Sequence, residues 1–396
     1  MVKPNLKGFT LEELQEFALS IGEKKFRGGQ LFQWLYSKEC KSFEEMTSLS
    51  KSFREKLARS ATVDSLKLVK LQQSPNDGTQ KFLFELADGK RIESVLIPPR
   101  TAFQSPEARV EDEQRRLTLC VSTQVGCPLD CKFCATASMG YHRNLTAGEI
   151  VDQVIQVKKI SGKPAAVPDN RTRAGKRITN LVYMGMGEPL MNYDNLMKSI
   201  EIFSTGMEIA ARRITISTAG WAPKIRQMAD EKRKVKLAVS LHSLDEKIRE
   251  KLMPINKKFD LAELIDAVQY YYKKTKARVT FEYILFDGLN DRDEDIRHLI
   301  SLSKKIPCKF NIIPFHAIEF TYPTGIASHL RLTPKDRKEE FVRKLRNAHI
   351  TIFVRSSAGE DIDAACGQLA VKTDRQRPPE HLPLKHNSLI TNLQDV

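Results

Sequence analysis

Three cysteines crowd one short stretch, Val125-Gly126-Cys127-Pro128-Leu129-Asp130-Cys131-Lys132-Phe133-Cys134, with the spacing Cys-x3-Cys-x2-Cys. Three thiolates on one loop can hold a metal centre but do not close a four-ligand site. A four-iron cluster takes one ligand per iron. A set of three therefore leaves one iron open for something exchangeable, just as catalytic metal sites keep one coordination position free. The competing reading is a structural zinc with Cys120 or His142 as fourth ligand. The chain has seven cysteines, an odd count. That is a poor disulfide framework and a good metal or redox pattern for a reducing compartment. Cys40 and Cys308 carry no further signal and read as packing.

The elements that must position these thiols are legible as alternation. Strand-like runs fall at 117–122, 178–184, 213–217, 235–241, 278–285 and 309–313, with helical runs between them. Thr146 with Glu149, and Asp260 with Glu263, have the spacing of a capping box ahead of apolar periodicity. Alternation of this kind builds a parallel sheet with crossover helices. Six units predict an α/β fold of the partial (β/α)6 barrel type, occupying 113–360. A last helix capped at Thr333-Pro334 and a strand at 350–355 complete it. In such folds function gathers at the C-terminal ends of strands. The unusual residues sit there: the cysteine loop, Met184-Gly185-Met186-Gly187-Glu188-Pro189, Ser217-Thr218-Ala219-Gly220, Ser240-Leu241-His242 and Asn311-Ile312-Ile313-Pro314-Phe315-His316. Each alone is weak, but five on one rim are hard to dismiss.

Two smaller units precede the barrel. Residues 1–60 read as a helical module, with Leu11, Leu14, Phe17 and Ala18 on one face and Leu31, Trp34 and Leu35 on another. Residues 61–100 read as a small β accessory segment whose two strands meet at Asp88-Gly89, a hairpin signal. A charged linker to about Arg116, a loop at 161–177 and a polar tail from Lys372 are expected to be irregular, the tail disordered. Lys and Arg number 64 against 49 Asp and Glu, a net charge of +15. A chain this basic is expected to meet a polyanion, nucleic acid first, with the helical module gripping RNA phosphates. The first residues, Met1 to Gly8, lack the apolar stretch of a signal peptide, and no run reaches bilayer length. The expected location is cytoplasmic, with no membrane.

The cysteine triad followed by Gly-Glu-Pro at the next strand end resembles the radical S-adenosylmethionine (SAM) superfamily. Three further features narrow the resemblance: Cys120 in Thr118-Leu119-Cys120-Val121-Ser122, the run Met253-Pro254-Ile255-Asn256-Lys257-Lys258, and Cys366 in Asp361-Ile362-Asp363-Ala364-Ala365-Cys366-Gly367-Gln368-Leu369. From about Lys7 to Ala370 the chain is similar to the dual-specificity RNA methyltransferase family RlmN and its antibiotic-resistance relative Cfr.

That resemblance implies a mechanism. A 4Fe-4S cluster held by Cys127, Cys131 and Cys134 binds SAM, and two SAM molecules are used per turnover. One methylates Cys366, giving a methylcysteine. The second is split to a 5′-deoxyadenosyl radical that takes a hydrogen from that methyl. The carbon radical adds to carbon 2 of an adenine, and Cys120 resolves the adduct through a transient disulfide with Cys366. The resemblance also implies Glu93 as proton acceptor. It implies SAM contacts from Gly187, Glu188, Ser217, Ser240, Leu241 and His242, and from His316, where many members have Asn. The substrates implied are 23S rRNA at the peptidyl-transferase centre and an adenine in the tRNA anticodon loop. A flipped adenine would reach a pocket at the barrel mouth. The electron donor would be a flavodoxin or ferredoxin, and the enzyme a monomer. Two alternatives remain at this point: methylation at carbon 8, as in the resistance relative, and a non-catalytic zinc-stabilised RNA-binding protein.

Overall fold

The computed structural model describes residues 3–99, 116–161, 178–355 and 357–371. The expected linker, the 162–177 loop and the tail from Lys372 lie outside the described residues. The chain opens with α1 (Leu11–Ser20), α2 (Phe26–Phe32) and α3 (Lys51–Ser60), then β1 (Lys67–Gln73), β2 (Gln80–Glu85) and β3 (Arg91–Ile97). Next come β4 (Thr118–Cys120), β5 (Gln124–Gly126), β6 (Tyr141–Asn144), α4 (Ala147–Ser161), β7 (Asn180–Tyr183), α5 (Tyr193–Gly206) and β8 (Ile214–Thr218). The remainder is α6 (Ala222–Asp230), β9 (Lys236–Ser240), α7 (Glu246–Leu252), α8 (Leu261–Thr275), β10 (Val279–Leu285), α9 (Asp293–Lys305), β11 (Cys308–Pro314), α10 (Lys335–Asn347) and β12 (Ile352–Val354).

One ten-stranded sheet organises the molecule, in the order β1-β2-β3-β4-β7-β8-β9-β10-β11-β12. From β4 to β12 every neighbouring pair is parallel, as the strand–helix alternation predicts. Among the described residues β1 and β12 remain the two edges, so the barrel is open. The β accessory segment does not form a layer of its own: β3 pairs antiparallel with β4 and prolongs the barrel sheet. Its turn is built as expected, with Gly89 at φ +77° and the Leu86 amide donating to the Lys90 carbonyl at 2.8 Å.

Helix starts follow the capping chemistry in two of three places. The Glu149 amide donates to Thr146 Oγ1 at 3.2 Å, while Glu149 Oε2 accepts from the Thr146 amide at 2.9 Å. Asp260 Oδ1 accepts from the Glu263 amide at 2.8 Å. The third is a correction: α10 begins after Pro334 without a side-chain cap, because the Thr333 hydroxyl is used elsewhere, donating to Asp291 Oδ2 at 2.9 Å.

In the N-terminal helices, Leu14 and Ala18 are buried but Leu11 stays 41% exposed, so the apolar face of α1 is narrower than its spacing suggests. A π turn over Gln33–Ser37 follows α2. The module is locked to the barrel helix α4 by a buried pair: Lys7 Nζ lies 2.7 Å from Asp152 Oδ1, and the Leu66 amide donates to Asp152 Oδ2 at 2.6 Å. Backbones meet closely beside it. A Cβ on Gly148 would come 2.1 Å from the Lys7 carbonyl oxygen, so glycine is required there. Among the described residues no helix is long and apolar enough to cross a membrane.

Candidate active site

The cysteine loop does not leave the first barrel strand directly. A separate hairpin, β5–β6, carries it, with a register shift between Val125 and Gly126. Gly126 has φ +75°, and a Cβ there would sit 1.7 Å from the Gly140 carbonyl oxygen. The Cys127 amide donates to that same oxygen at 2.9 Å, which sets where the first thiol starts. The loop is then stitched to the Cys366 segment: the Ala135 amide donates to Gly367 O at 2.6 Å, and Thr136 Oγ1 donates to Leu369 O at 2.6 Å. Sequence spacing separates these segments by more than two hundred residues, and the fold makes them neighbours.

Cys127, Cys131 and Cys134 all line one cavity of ≈ 150 Å³, together with Gly187, Glu188, Ser217, Ser240 and His242. Burial pushes all three thiols above their usual range, and Cys127 and Cys134 add like charge around Cys131. Three clustered thiols that resist ionising alone suit a metal centre, which takes them as thiolates. Among the described residues, no three His, Cys, Asp or Glu side chains are grouped so as to hold a single ion. Three thiolates with one position left open match the ligand set of a catalytic four-iron cluster, whereas a structural zinc site is closed by four ligands.

The rest of this cavity's lining offers both an anion and a hydrogen-bond donor to a ligand. Glu188 is 3% exposed; its two oxygens accept from the Leu190 amide at 3.1 Å and the Ala219 amide at 2.8 Å. Burial raises its pKa to about 7, opposed by those amides and Thr218. Gly187, at φ +97°, packs against Gln124, whose Oε1 accepts from the Glu188 amide at 2.9 Å. His242 Nδ1 accepts from the Ile284 amide at 3.0 Å, which fixes the proton on Nε2. That Nε2 is buried without a partner. Burial, with Arg249 adding to it, drops the His242 pKa to about 3, so the ring is a neutral donor waiting for an acceptor. The side chain of Leu241 is fully buried and does not line this cavity; its amide donates to the Glu282 carbonyl at 3.0 Å.

Cys120, Cys366 and His316 line a second cavity of ≈ 370 Å³. Cys366 is the exposed thiol of the seven, and Cys120 is buried, its pKa pushed up to about 12 by burial and then by Cys366. The two cavities meet at Met184, Glu282, Ile313, Arg355 and Cys366. His316 therefore stands with Cys366 rather than with the other expected SAM contacts; its Nδ1 lies 3.3 Å from Glu360 Oε1. Glu93 lines neither cavity. It is buried beside Lys81, with Nζ 3.5 Å from Oε1, under the segment that carries Cys366. Burial raises its pKa to about 7 against the pull of Lys81.

Three residues escaped sequence reading. Arg355 Nη1 lies 3.6 Å from Cys366 Sγ and 3.5 Å from Met184 Sδ. Glu282 is the one charged residue in a fully buried strand, which was the available signal. Arg249 is completely buried inside a helix whose charges look like a solvent face. Its Nη2 donates to the Ala219 carbonyl at 2.7 Å and the Ser240 carbonyl at 3.2 Å, pinning two of the strand ends that shape the cavity.

An open parallel barrel with three thiols on a hairpin loop at its C-terminal rim is the architecture of a radical SAM enzyme, and comparison with known proteins agrees. The Radical SAM superfamily model matches residues 121–300, and the Ribosomal RNA large subunit methyltransferase N-terminal domain model matches residues 4–63. The chain is 40% identical over 372 residues to a probable dual-specificity RNA methyltransferase RlmN of Flavobacterium psychrophilum, covering 93% of this chain and 98% of that one. It is 42% identical over 375 residues to the corresponding protein of Geobacillus thermodenitrificans, covering 94% of each. A crystal structure of a radical SAM methyltransferase from Sphaerobacter thermophilus superposes with a TM-score of 0.79 at 39% identity, over 92% of this chain and 99% of that one. The chain belongs to the RlmN family of radical SAM RNA methyltransferases. Its cofactors are a 4Fe-4S cluster and SAM, which the thiol set, the Glu188 carboxylate and the unpartnered His242 donor fit.

Proposed function

We propose that this protein methylates carbon 2 of an adenine in 23S rRNA and in tRNA, with Cys366 as methyl carrier, Cys120 as resolving thiol and Glu93 as proton acceptor. The observation that carries the reading is the meeting of two cavities at Cys366, one lined by the cluster cysteines and one by Cys120. The cofactors, when bound, supply methyl groups and one-electron hydrogen abstraction; the chain holds and orients the reacting atoms. Cys127, Cys131 and Cys134 would hold the cluster. Glu188 and the backbone at Gly187 would receive the SAM ammonium, and His242 Nε2, Ser217 and Ser240 would serve its oxygens. Arg355 Nη1, 3.6 Å from Cys366 Sγ, would hold that sulfur in place as it accepts a methyl. Cys120 then attacks the Cys366 sulfur once the carbon is joined to the base, forming the disulfide and freeing the product.

The helical module at 1–60 is read as an RNA grip, supported by Lys51 and Arg59 exposed on α3. All seven cysteines are free, which supports a reducing, cytoplasmic setting. Splitting SAM takes one electron at a time, and we read the donor as a flavodoxin or ferredoxin. The enzyme is read as acting as a monomer.

Mass spectrometry of nucleosides from RNA after anaerobic turnover tests the reading. It should place the methyl on carbon 2; a methyl on carbon 8 would reassign the protein to resistance-type chemistry. A second expectation concerns Glu93. A carboxyl whose pKa is raised to about 7 accepts a proton only in its ionised form, so methylation should speed up as pH rises through 7. Glu93→Gln should lower the rate by about 10²–10⁴-fold and flatten that limb of the pH profile. An unchanged profile in the variant would remove Glu93 from the role.

A further inference from the structure

Alternate residues of each parallel strand face the barrel lumen. In closed barrels those positions carry bulky branched side chains and form a packed core. Here the layer at the N-terminal strand ends is Thr118, Asn180, Thr215, Lys236, Thr280 and Lys309, all lining the larger cavity. They face one another across the ladder: Thr118 opposite Asn180, Thr215 opposite Lys236, and Thr280 opposite Lys309. These six are polar or cationic, Arg116 joins them at the rim, and among the described residues the apolar lining beside them is Ile97, opposite Thr118, Val182, opposite Thr215, and Phe353.

The charges are arranged for an anion. Those facing Lys236 are Arg116, Lys309 and Arg213; those facing Lys309 are Arg278, Arg116 and, deeper in, Glu282. Both lysines are held below their usual range, by burial first and then mainly by these cations. Like charge gathered around a concavity destabilises the free protein and focuses its field on an incoming anion. A second observation points inward. Glu282 is 3% exposed; Oε1 accepts from Asn311 Nδ2 at 2.9 Å, Oε2 has no hydrogen-bond partner, and the Arg355 guanidinium is a charge that faces it. Lys309 and Asn311 are two residues apart on β11, ~7 Å along the strand. Phosphate-binding and base-binding layers at that separation suit a single nucleotide. The cavity ends at Cys120 and Cys366, so the lumen connects the basic end directly to the carrier sulfur.

We propose that RNA enters the barrel from the N-terminal ends of the strands, opposite the cluster loop. The target base leads toward Glu282 and Cys366, and its flanking phosphates rest on Lys236, Lys309 and Arg116. This rests on the reading that the substrate is an adenine in RNA, and it moves the substrate's route away from the rim where the motifs lie.

The test is binding, which does not depend on turnover. The double variant Lys236→Glu/Lys309→Glu is titrated with a fluorescent, unmodified tRNA anticodon stem-loop, alongside Lys273→Glu/Lys304→Glu on the outer helices, which changes net charge equally. The lumen variant should weaken binding at least tenfold and reduce the magnitude of the log–log salt slope by about two. The outer variant should shift binding far less. Intact-mass detection of methylated Cys366 in the lumen variant, formed without RNA, shows that the SAM end of the barrel is folded. Wild-type affinity in the lumen variant, or equal weakening in both, would overturn the proposed route. If the unaltered protein binds RNA through these lysines yet makes no methyladenine, the functional reading fails and the route stands.

Discussion

Cys366→Ala should leave RNA unmethylated, with activity lower by on the order of 10⁴-fold or more, the scale on which enzymes lose rate with their nucleophile. The reason lies in the substrate. Carbon 2 of adenine sits between two ring nitrogens and is electron-poor, so it does not attack a methyl sulfonium as an amine or a thiol does. The methyl must first be carried by a group that does. Cys366 is the exposed thiol of the chain, at the junction of the two cavities and 3.6 Å from the Arg355 guanidinium. Cys40, Cys120 and Cys308 are buried, and Cys127, Cys131 and Cys134 are the proposed cluster ligands, so no other thiol is as exposed to take its place. Transfer from methyl-labelled SAM to RNA reads the loss, and equilibrium binding of SAM to the reconstituted variant should persist. RNA methylated at a normal rate by Cys366→Ala would end the carrier assignment.

What sequence showed and what it withheld divide along a physical line. Strand–helix alternation, the Asp88-Gly89 turn and the Thr146 and Asp260 caps are local features, and each stands where its spacing implies. The thiol triad is local too, and its three sulfurs do share a cavity. Tertiary choices were not legible. Thr333 has cap chemistry, but Asp291 from a distant turn takes its hydroxyl. The β accessory segment reads as separate because its hairpin is self-sufficient in sequence, yet its edge strand pairs with β4. His316 and Glu93 were placed by resemblance. The first faces the carrier sulfur and the second is covered by the carrier's segment, because the backbone path of residues 357–371 is set by contacts to the cysteine loop that no spacing encodes. Arg249 was missed for the same reason. A charged residue on a short helix reads as solvated until two distant carbonyls are found against it.

Cys120→Ala should give the opposite phenotype from the carrier variant: the methyl carbon reaches RNA but the protein does not let go. Once that carbon is bonded to both the base and Cys366 sulfur, with the C2 proton passed to the proposed base and the odd electron returned to the cofactor that would have supplied it, release needs a second sulfur to attack the first. The Cys120 thiolate attacks, a sulfur–sulfur bond forms, the sulfur–carbon bond breaks with its electron pair on carbon, and a proton completes the methyl group. Cys120 is placed for this on β4, lining the same cavity as Cys366. Burial pushes its thiol up to about 12, with Arg355 pulling the other way, so the thiolate is scarce at neutral pH and grows more abundant as pH rises. Release in the unaltered protein should therefore quicken with pH. In Cys120→Ala, denaturing gels should show a protein–RNA band that nuclease collapses and reductant leaves intact, since the bond is a thioether rather than a disulfide. Free methylated RNA from that variant at the normal rate would mean that some other group performs the release, and would separate the resolving step from Cys120 while leaving the carrier role of Cys366 untouched.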